Sequence, residues 1–556
     1  MISLKIDNRI IEVEEGTPLH KAALKAGVEI PLMCYYDGME HFTSCMVCMV
    51  KDRKNGKLLP SCSVKAMEGM DIITDDPEVK ESRKTALELL LSEHVGDCEA
   101  PCKITCPAHM DIPLMNRLLA NGEFATALEV VKKDIALPSV LGRICPAPCE
   151  GACRRKFHDE PVSICLLKRF AGDNDLDKGK NFLPEISPKT GFKIAIIGSG
   201  PAGLSAGYYL RTRGHQVDIY EKQAEAGGAL RTAIPADILP KNVIDKEIGI
   251  IEKMGVRFFC HYQIDNYGFN GLLKDFDALI IACQLEEKDI ILWGMEFSGT
   301  GIKADKETFQ TNIKKVFAVG SALRTSKMAI RSLGQGKEAA FSVDQFLKKE
   351  EITGEPQMFN SRFGKLFADE YVEYLKESVP YTRIQPEMEL NGGFTVDEVM
   401  REAARCLRCD CREKKSCLLR IYSNAYKANQ KRFASEERKN IKKFDQHSSV
   451  IYEPAKCIKC GICVRITSLH KEEFGFTFIG RGFNVEIGVP FNEELKSALT
   501  STADEVVLAC PTGALAMKQK KKLIQDRYDK AASGYHEISI SVCNDPHSSC
   551  RTNRTG

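Results

Sequence analysis

The sequence predicts a multidomain protein that combines α/β and α+β domains, and three observations support this fold class. The chain has 556 residues, which corresponds to roughly three to five domains of ordinary size. Its 23 cysteines are concentrated in short groups rather than spread evenly. Near the middle of the chain, an apolar strand runs through a glycine-rich turn into a helix, which is how a doubly wound parallel sheet begins.

The composition excludes several functional classes. Basic and acidic residues are nearly balanced, at 78 and 76, which argues against a protein that coats nucleic acid. No apolar run reaches the roughly 18 residues of a membrane span. The chain begins MISLKIDNRIIEVEEG, which alternates like a strand and does not resemble a signal peptide, so a cytoplasmic location is expected. Because disulfides are rare in that compartment, closely spaced cysteines indicate metal or cluster ligands.

The first cysteine group predicts a 2Fe–2S centre within residues 1–80. Its members are Cys34, Cys45, Cys48 and Cys62, and the residues before them are predicted to form two strands and a helix. Structural zinc is the alternative, but these spacings do not fit a zinc finger or ribbon. The pattern resembles the N-terminal domain of the large iron–sulfur subunit of complex I. That resemblance implies a β-grasp ferredoxin fold with one 2Fe–2S cluster.

A second region, residues 81–178, carries two cysteine groups on predicted helices. The motifs CPAH and GRICPAPCEGAC resemble the N-terminal helical domain of the glutamate synthase small subunit, which dihydropyrimidine dehydrogenase shares. The resemblance implies an α-helical domain with two 4Fe–4S clusters. We expect one cluster to be held by His94, Cys98, Cys102 and Cys153, and the other by Cys106, Cys145, Cys149 and Cys165.

Two of these ligands depart from the family pattern. His94 stands near the place of a missing first cysteine, and an imidazole can replace a thiolate at iron. The alternative is a surface histidine at a helix end. Lys168 stands near the family's last ligand and cannot ligate as a cation, so Cys165, one helical turn earlier, is expected to supply the thiolate.

Residues 190–350 predict a Rossmann-like FAD domain. A predicted strand over residues 193–197 runs into Gly198, Gly200 and Gly203, and a second strand ends at Glu221, where an acid can bind ribose. Together with AGGALRTAIP and VFAVGSALRTSKMAI, this region resembles the FAD domain of the same glutamate synthase family. The residues that the resemblance assigns to FAD are Gly198, Gly200, Pro201, Ala202, Gly203, Glu221, Gly228, Arg231, Gly320 and Ser321. Ser321 stands where the family usually has an aspartate that contacts the ribityl chain.

One family domain is missing from this region. The family inserts an NAD(P)H-binding domain between the strands that here end at Cys283 and begin at Val316. Residues 284–315 have about the length of a single βαβ unit and contain no second glycine fingerprint. We therefore expect that the flavin does not receive hydride from a nicotinamide bound by this chain.

The segment 351–445 reads as a linker that carries a compact cysteine group. That group is Cys406, Cys409, Cys411 and Cys417, and it predicts one metal centre, either a 4Fe–4S cluster or zinc. Residues 418–445 read as an exposed basic helix. Such a helix is usually a solvated face, and a partner surface is the lesser alternative.

Residues 446–525 predict a ferredoxin-like domain with one 4Fe–4S cluster. Cys457, Cys460 and Cys463 are followed at a distance by Cys510 and a proline, as in bacterial ferredoxins. The remaining cysteines, Cys260, Cys283, Cys543 and Cys550, are interpreted as core or tail residues, and residues 526–556 as a polar tail.

These patterns predict an oxidoreductase whose chemistry is carried by cofactors, with no catalytic side chain. The expected cofactors are one FAD, one 2Fe–2S cluster and three to four 4Fe–4S clusters. The families imply an electron-transfer subunit in a hetero-oligomer that links an NADH-dehydrogenase-type flavoprotein subunit to ferredoxin or to a terminal redox enzyme. The alternatives are a self-contained NAD(P)H oxidoreductase and a cluster-bearing scaffold whose flavin site has decayed.

Overall fold

A computed structural model describes residues 1–39, 43–178, 181–325, 328–387, 392–434 and 437–518. The predicted tail, with Cys543 and Cys550, lies outside the described residues. The chain divides into two compact units. The first unit comprises Met1–Cys98, Phe359–Gly364 and the chain from Cys411 onwards, and the second comprises Glu99–Met358 and Lys365–Asp410.

The strands, in chain order, are β1 (Ile2–Ile6), β2 (Arg9–Val13), β3 (Met49–Asp52), β4 (Leu58–Pro60), β5 (Asp71–Ile73), β6 (Lys193–Ile197), β7 (Gln216–Tyr220), β8 (Arg257–Phe259), β9 (Ala278–Ile281), β10 (Val316–Ala318), β11 (Val450–Tyr452), β12 (Thr477–Ile479), β13 (Glu486–Gly488) and β14 (Leu515–Met517). The helices are α1 (Leu19–Lys25), α2 (Pro77–Glu93), α3 (Pro101–Thr105), α4 (Ile112–Ala120), α5 (Phe124–Lys132), α6 (Pro138–Ile144), α7 (Pro148–Gly151), α8 (Ile164–Leu176), α9 (Pro201–Thr212), α10 (Ala229–Thr232), α11 (Lys241–Lys253), α12 (Asn266–Asp275), α13 (Glu287–Leu292), α14 (Ala329–Leu347), α15 (Glu370–Leu375), α16 (Val396–Ala404), α17 (Leu418–Ala425), α18 (Ile462–Leu469), α19 (Leu495–Ala498) and α20 (Ala503–Ala509).

The first unit begins with a mixed sheet of strand order β2-β1-β5-β3-β4. β1 pairs antiparallel with β2 and parallel with β5, so the chain must cross over between them. Alternate residues of β1, Leu4 and Ile6, face a core that includes Leu19 of α1. This is the predicted β-grasp arrangement, with α1 packed on one face of the sheet.

The C-terminal part of the first unit contains two antiparallel strand pairs, β11 with β14 and β12 with β13. Here α17 ends at Ala425, so the predicted helix over residues 418–445 is shorter than expected. Its Leu419 and Tyr422 are buried in the core of this unit. The helix ends early because the apolar spacing ends where the lysine-rich sequence begins. The basic residues that follow lie in turns and in chain without regular secondary structure.

The second unit is built around a parallel sheet of order β10-β9-β6-β7-β8. All of its strand pairs are parallel, and the order reverses beside β6, which is the doubly wound topology. α9 and α14 pack together against this sheet. The chain between β9 and β10, which the structure describes throughout, contains α13 and takes part in two isolated bridges, Phe297 to Ile302 and Gln310 to Phe317 of β10, but has no further strand–turn–helix unit.

Within the described part of the chain, no helix is both long enough and apolar enough to cross a membrane.

Candidate iron–sulfur and flavin sites

The first thiol group is formed by three cysteines of the loop before β3 and by one cysteine that follows β4. Cys34, Cys45, Cys48 and Cys62 are all buried, and the Sγ atoms of Cys48 and Cys62 are 3.2 Å apart. The hydrogen bond from Cys62 lowers the pKa of Cys48 to about 7. Hydrogen bonds from Cys45 and Cys62 hold the pKa of Cys34 far below its usual value. The same hydrogen bonds raise the pKa of Cys45 and Cys62, so Cys34 and Cys48 are the two thiols that favour the deprotonated form, which binds iron.

The C-terminal thiol group surrounds a cavity at the start of α18. The cavity is lined by Cys457, Cys460, Cys463 and Cys510. Gly461 lies among them with a φ of 72°, a conformation that favours glycine and lets the chain turn tightly between two ligand positions. The backbone N–H of Lys459 donates to Cys457 Sγ at 3.3 Å. Such donors stabilise negative charge on sulfur, as cluster binding requires.

The second unit brings two thiol groups together through a pair of short helices. α3 carries Cys102 and is followed directly by Cys106, and α7, which packs against it, carries Cys149 and is followed by Cys153. One cavity is lined by Cys102, Cys153, Cys406 and Cys409. Each helix thus contributes one thiol to this cavity and one to the neighbouring group.

That neighbouring group consists of Cys106, Cys145, Cys149 and Cys165, and the buried Lys168 lies beside all of them. Lys168 Nζ is 3.7 Å from Cys165 Sγ, and these four sulfurs are the anions that raise its pKa. A buried ammonium needs a compensating negative charge. Among the residues that the structure describes, these four sulfurs would supply that charge as thiolates bound to iron.

We expect that the charge of Lys168 raises the reduction potential of a cluster held by this group. Lys168→Met should shift the midpoint potential downwards by an amount on the order of 100 mV, because a unit charge at a few ångströms stabilises the reduced cluster. An EPR-monitored redox titration measures the shift, and Lys168→Arg is the control that keeps the charge. Equal potentials in the wild type and in Lys168→Met, at unchanged iron content, would contradict this assignment.

A further group in the first unit contains Cys98, Cys411 and Cys417. The backbone N–H of Cys411 donates to the carbonyl of Cys98 at 3.1 Å, and burial, together with the nearby sulfurs of Cys411 and Cys98, raises the pKa of Cys417. Gly513 allows the close approach of this group, because a Cβ there would lie 2.3 Å from Cys411 Sγ. This group has three thiols and requires a fourth ligand for a four-iron cluster.

His94 has the properties that a fourth ligand needs. Its Nδ1 is a buried atom without a hydrogen-bond partner among the described residues, which ordinarily costs about 1–3 kcal/mol. The imidazole hydrogen-bonds the backbone of Lys456, and Lys456 also lies beside Cys411. Burial and the Lys456 charge lower the pKa of His94 to about 4, so the ring is neutral and has a lone pair for iron.

The observed grouping differs from the grouping predicted from the sequence. The predicted centre of Cys406, Cys409, Cys411 and Cys417 is divided between the two units at Asp410. Asp410 is held within the second unit by Arg117, at 2.8 Å. The predicted set of His94, Cys98, Cys102 and Cys153 is likewise divided after Cys98. Of the two sets predicted within residues 81–178, only that of Cys106, Cys145, Cys149 and Cys165 is brought together as predicted.

The sequence carried no signal for the new groupings, because spacing indicates only ligands that are close along the chain. Across the described residues, no three His, Cys, Asp or Glu side chains converge closely enough to hold a single metal ion. The thiols of the two cavities surround an open space instead.

The glycine-rich turn of the second unit is organised by Ser199, a residue within the glycine motif for which the sequence predicts no role. Ser199 donates to Glu221 through both its backbone N–H, at 3.0 Å, and its hydroxyl, at 2.6 Å. Its hydroxyl also accepts from the backbone N–H of Gly227 at 3.0 Å. Glu221 accepts a third bond from Gln223 N–H, so one of the roughly four acceptor positions of its carboxylate remains for a ribose hydroxyl.

The other predicted FAD residues lie around the start of α9. Gly200 caps the helix, and Pro201, Ala202 and Gly203 form its first turn. A Cβ on Gly228 would lie 3.0 Å from Gly200 Cα, and a Cβ on Gly320 would lie 2.8 Å from the Cβ of Ala202. The backbone N–H groups at the helix start can face a pyrophosphate.

The last two predicted residues have different surroundings. Arg231 donates to the carbonyl of Ala226 and pairs with Asp245 and Glu225, so its guanidinium is already engaged by carboxylates. Ser321 lies beside Gly320 in a single 3₁₀ turn, Gly320–Ala322, which directly follows β10.

We expect Gly203→Ala to remove most of the bound flavin. A Cβ at this position would lie 1.9 Å from the carbonyl oxygen of Gly198, so the turn must move at a cost of about 1–3 kcal/mol. Release of FAD by denaturation, followed by fluorescence, measures the loss. Gly249→Ala is the matched control, since a Cβ there meets no atom within 4 Å, and a full flavin content in Gly203→Ala would refute the site.

Three family models match separate parts of the chain. Residues 1–77 match a 2Fe-2S iron-sulfur cluster binding domain, and residues 79–180 match the dihydropyrimidine dehydrogenase domain II, 4Fe-4S cluster. Residues 196–259 match an NAD(P)-binding Rossmann-like domain. The chain is therefore a multidomain iron–sulfur protein with a Rossmann-like domain, which confirms the predicted fold class and the 2Fe–2S and 4Fe–4S domains.

Curated relatives match only part of the chain. NADPH-Fe(3+) oxidoreductase subunit beta of Geobacter sulfurreducens is 39% identical over 33% of this chain and 28% of its own length. NADP(+)-dependent formate dehydrogenase subunit beta of Moorella thermoacetica is 37% identical over 34% of this chain and 29% of its own. Glutamate synthase [NADPH] small chain of Bacillus subtilis is 34% identical over 37% of this chain and 42% of its own, in line with the predicted resemblance. The chain thus spans less than half the length of these relatives.

Proposed function

We propose that the protein is an iron–sulfur flavoprotein that relays electrons within a larger oxidoreductase, between a partner that oxidises NAD(P)H and ferredoxin or a terminal redox enzyme. FAD would be held by the glycine turn, Glu221 and the Gly320 turn. Bound FAD exchanges electrons in pairs or singly, whereas iron–sulfur clusters exchange them singly. The five ligand groups described above would hold the clusters.

One observation carries this proposal: the flavin segment and a cluster-ligand loop abut the same point of α14. Gly320 donates its N–H to Gln335 Oε1 at 3.0 Å. The neighbouring Gly334 approaches the loop after Cys106 so closely that a Cβ would lie 2.5 Å from the carbonyl oxygen of Pro107. The Gly320 turn, which would hold part of the flavin, and the loop after Cys106 therefore contact adjacent residues of α14, and this proximity supports electron transfer between a flavin and a cluster at these sites.

Within the first unit, the three ligand groups also form a connected series. Arg465 donates to the carbonyls of both Cys34 and Cys460, at 3.3 and 3.4 Å, and so joins the N-terminal and C-terminal groups. The C-terminal group continues through Pro511, whose carbonyl accepts from Leu418 N–H at 2.9 Å, directly after Cys417. This series supports a relay in preference to separate structural clusters.

The relay requires an external donor, because the described chain between β9 and β10 has no second nucleotide-binding unit. A partner subunit would oxidise the nicotinamide, in keeping with relatives that are themselves named as subunits. We expect that anaerobic mixing of the isolated protein with NADH or NADPH leaves the flavin absorbance unchanged, while dithionite bleaches it.

Rapid bleaching by either nicotinamide would overturn this view and favour the self-contained oxidoreductase. A protein that contains clusters but releases no FAD on denaturation would favour the scaffold with a decayed flavin site. Copurification from the native host identifies the partner subunits directly.

A further inference from the structure

A basic cleft lies against the C-terminal thiol group of the first unit. The cleft encloses about 460 Å³, and its cationic lining residues are Arg438, Lys439, Lys442 and Lys459. Glu486 is the acidic residue of the lining, and Glu93 pairs with both Lys439 and Lys459, at 2.7 and 2.9 Å. The positive charges exceed the negative ones even when both acids are counted.

The position of Cys457 connects this cleft to the cluster site. Cys457 lines the basic cleft and also lines the cavity of the C-terminal thiol group, so its side chain forms a shared wall between them. Lys459 lies in the same turn and donates its backbone N–H to Cys457 Sγ. A molecule that occupies the cleft would thus lie one side chain away from the cluster.

The one-electron chemistry of the adjacent cluster and the positive charge of the cleft limit which molecules can bind there as electron-transfer partners. A nicotinamide gives or takes electrons as a hydride, in a pair, and a single cluster cannot accept a pair. A protein that carries one electron at a time matches the cluster, and an acidic surface matches the cleft. Charge complementarity of this kind accelerates association by factors of about 10–1,000 at low salt.

We propose that this cleft is the docking surface for an acidic one-electron carrier protein, which exchanges electrons with the cluster of Cys457, Cys460, Cys463 and Cys510. The proposal rests on the proposed function and adds to it the place where the carrier binds. In the exchange, one electron leaves the cluster and reduces the carrier's own centre by one, with no bond made or broken.

The test uses the full-length protein and an acidic two-cluster bacterial ferredoxin. Lys439→Glu combined with Lys442→Glu reverses two exposed charges of the cleft. The matched control combines Lys54→Glu with Lys57→Glu, two exposed lysines of the first unit that lie between β3 and β4 and do not line the cleft. Iron content and reduction by methyl viologen, a small cation, report whether each variant remains intact.

The expected result is at least a tenfold loss in both ferredoxin binding and the rate of ferredoxin reduction in the cleft variant, with the control unchanged. The wild-type rate should also fall steeply as salt is raised. If the cleft variant and the control variant reduce ferredoxin at equal rates, or if the wild-type rate does not respond to salt, the proposed docking site is wrong. Binding of inorganic pyrophosphate to the wild type but not to the cleft variant, with an unchanged rate of ferredoxin reduction in its presence, would also overturn the docking site, since the cleft would then be a small-anion site.

Binding and electron transfer are measured separately so that the two proposals can be distinguished. If ferredoxin binds the wild type but not the cleft variant, and no electrons pass to it, the docking surface stands and the proposed acceptor is wrong. If electrons pass equally well to ferredoxin from the cleft variant, the acceptor stands and the docking surface is wrong.

Discussion

Serine in place of Cys102 and serine in place of Cys406 are expected to remove the same cluster, although the two residues lie in distant parts of the chain. Both thiols line one cavity with Cys153 and Cys409. Serine keeps the size of the side chain but is a poor ligand for iron, so each variant should lose about four irons. The double variant should lose no more iron than either single variant.

Cys411→Ser is expected to remove a different cluster from the one that Cys102→Ser and Cys406→Ser remove. Cys411 is only two residues beyond Cys409, but it groups with Cys98 and Cys417 in the first unit. Cys411→Ser should therefore remove a different EPR signal from the one that Cys406→Ser removes, and the double variant should lose about eight irons. Cys283→Ser, outside the ligand groups, is the control.

Iron analysis and EPR spectra of the reduced variants decide between the two groupings. If Cys406→Ser and Cys411→Ser abolish one and the same signal, and their double variant loses no additional iron, then the four cysteines hold a single centre. The grouping derived from the structure would then be wrong.

The second large effect concerns His94. His94→Cys should retain a full cluster at the Cys98 group but lower its midpoint potential, because an imidazole ligand raises the potential relative to a thiolate. His94→Ala removes the ligand and should lower the iron content. The buried, unpartnered Nδ1 and the neutral ring are the physical basis of both expectations.

An EPR-monitored titration of the affected signal measures this change. His470→Ala is the control, because His470 is a partly exposed histidine of the same unit that pairs with Glu505. A wild-type iron content and unchanged potentials in both His94 variants would show that the histidine is structural and that the fourth ligand lies elsewhere.

Much of the fold followed from local sequence patterns. The strand predicted at residues 193–197 is observed at Lys193–Ile197, and the glycine turn and Glu221 follow in the expected order. Local spacing also brought together Cys106, Cys145, Cys149 and Cys165, because short helices set their separations. The predicted basic helix failed after Ala425, since charge alone does not maintain a helix once the apolar face ends.

The regrouped cysteines could not be predicted, because they depend on contacts between segments that are remote along the chain. The turn at Arg408–Asp410, where Arg408 has a φ of 51° and Asp410 binds Arg117, separates two neighbouring pairs of thiols. Ser199 was overlooked for a related reason. Its role arises from three hydrogen bonds within the folded turn and not from its place in the glycine motif.

The central claim is that the five ligand groups hold iron–sulfur clusters beside a bound flavin. Its most direct test is the iron, acid-labile sulfide and FAD content of protein purified without oxygen. The account predicts about 18 irons and about 18 sulfides per chain, from one 2Fe–2S and four 4Fe–4S clusters, together with one FAD. A preparation with only about two to four irons, or with zinc in place of iron, would contradict it.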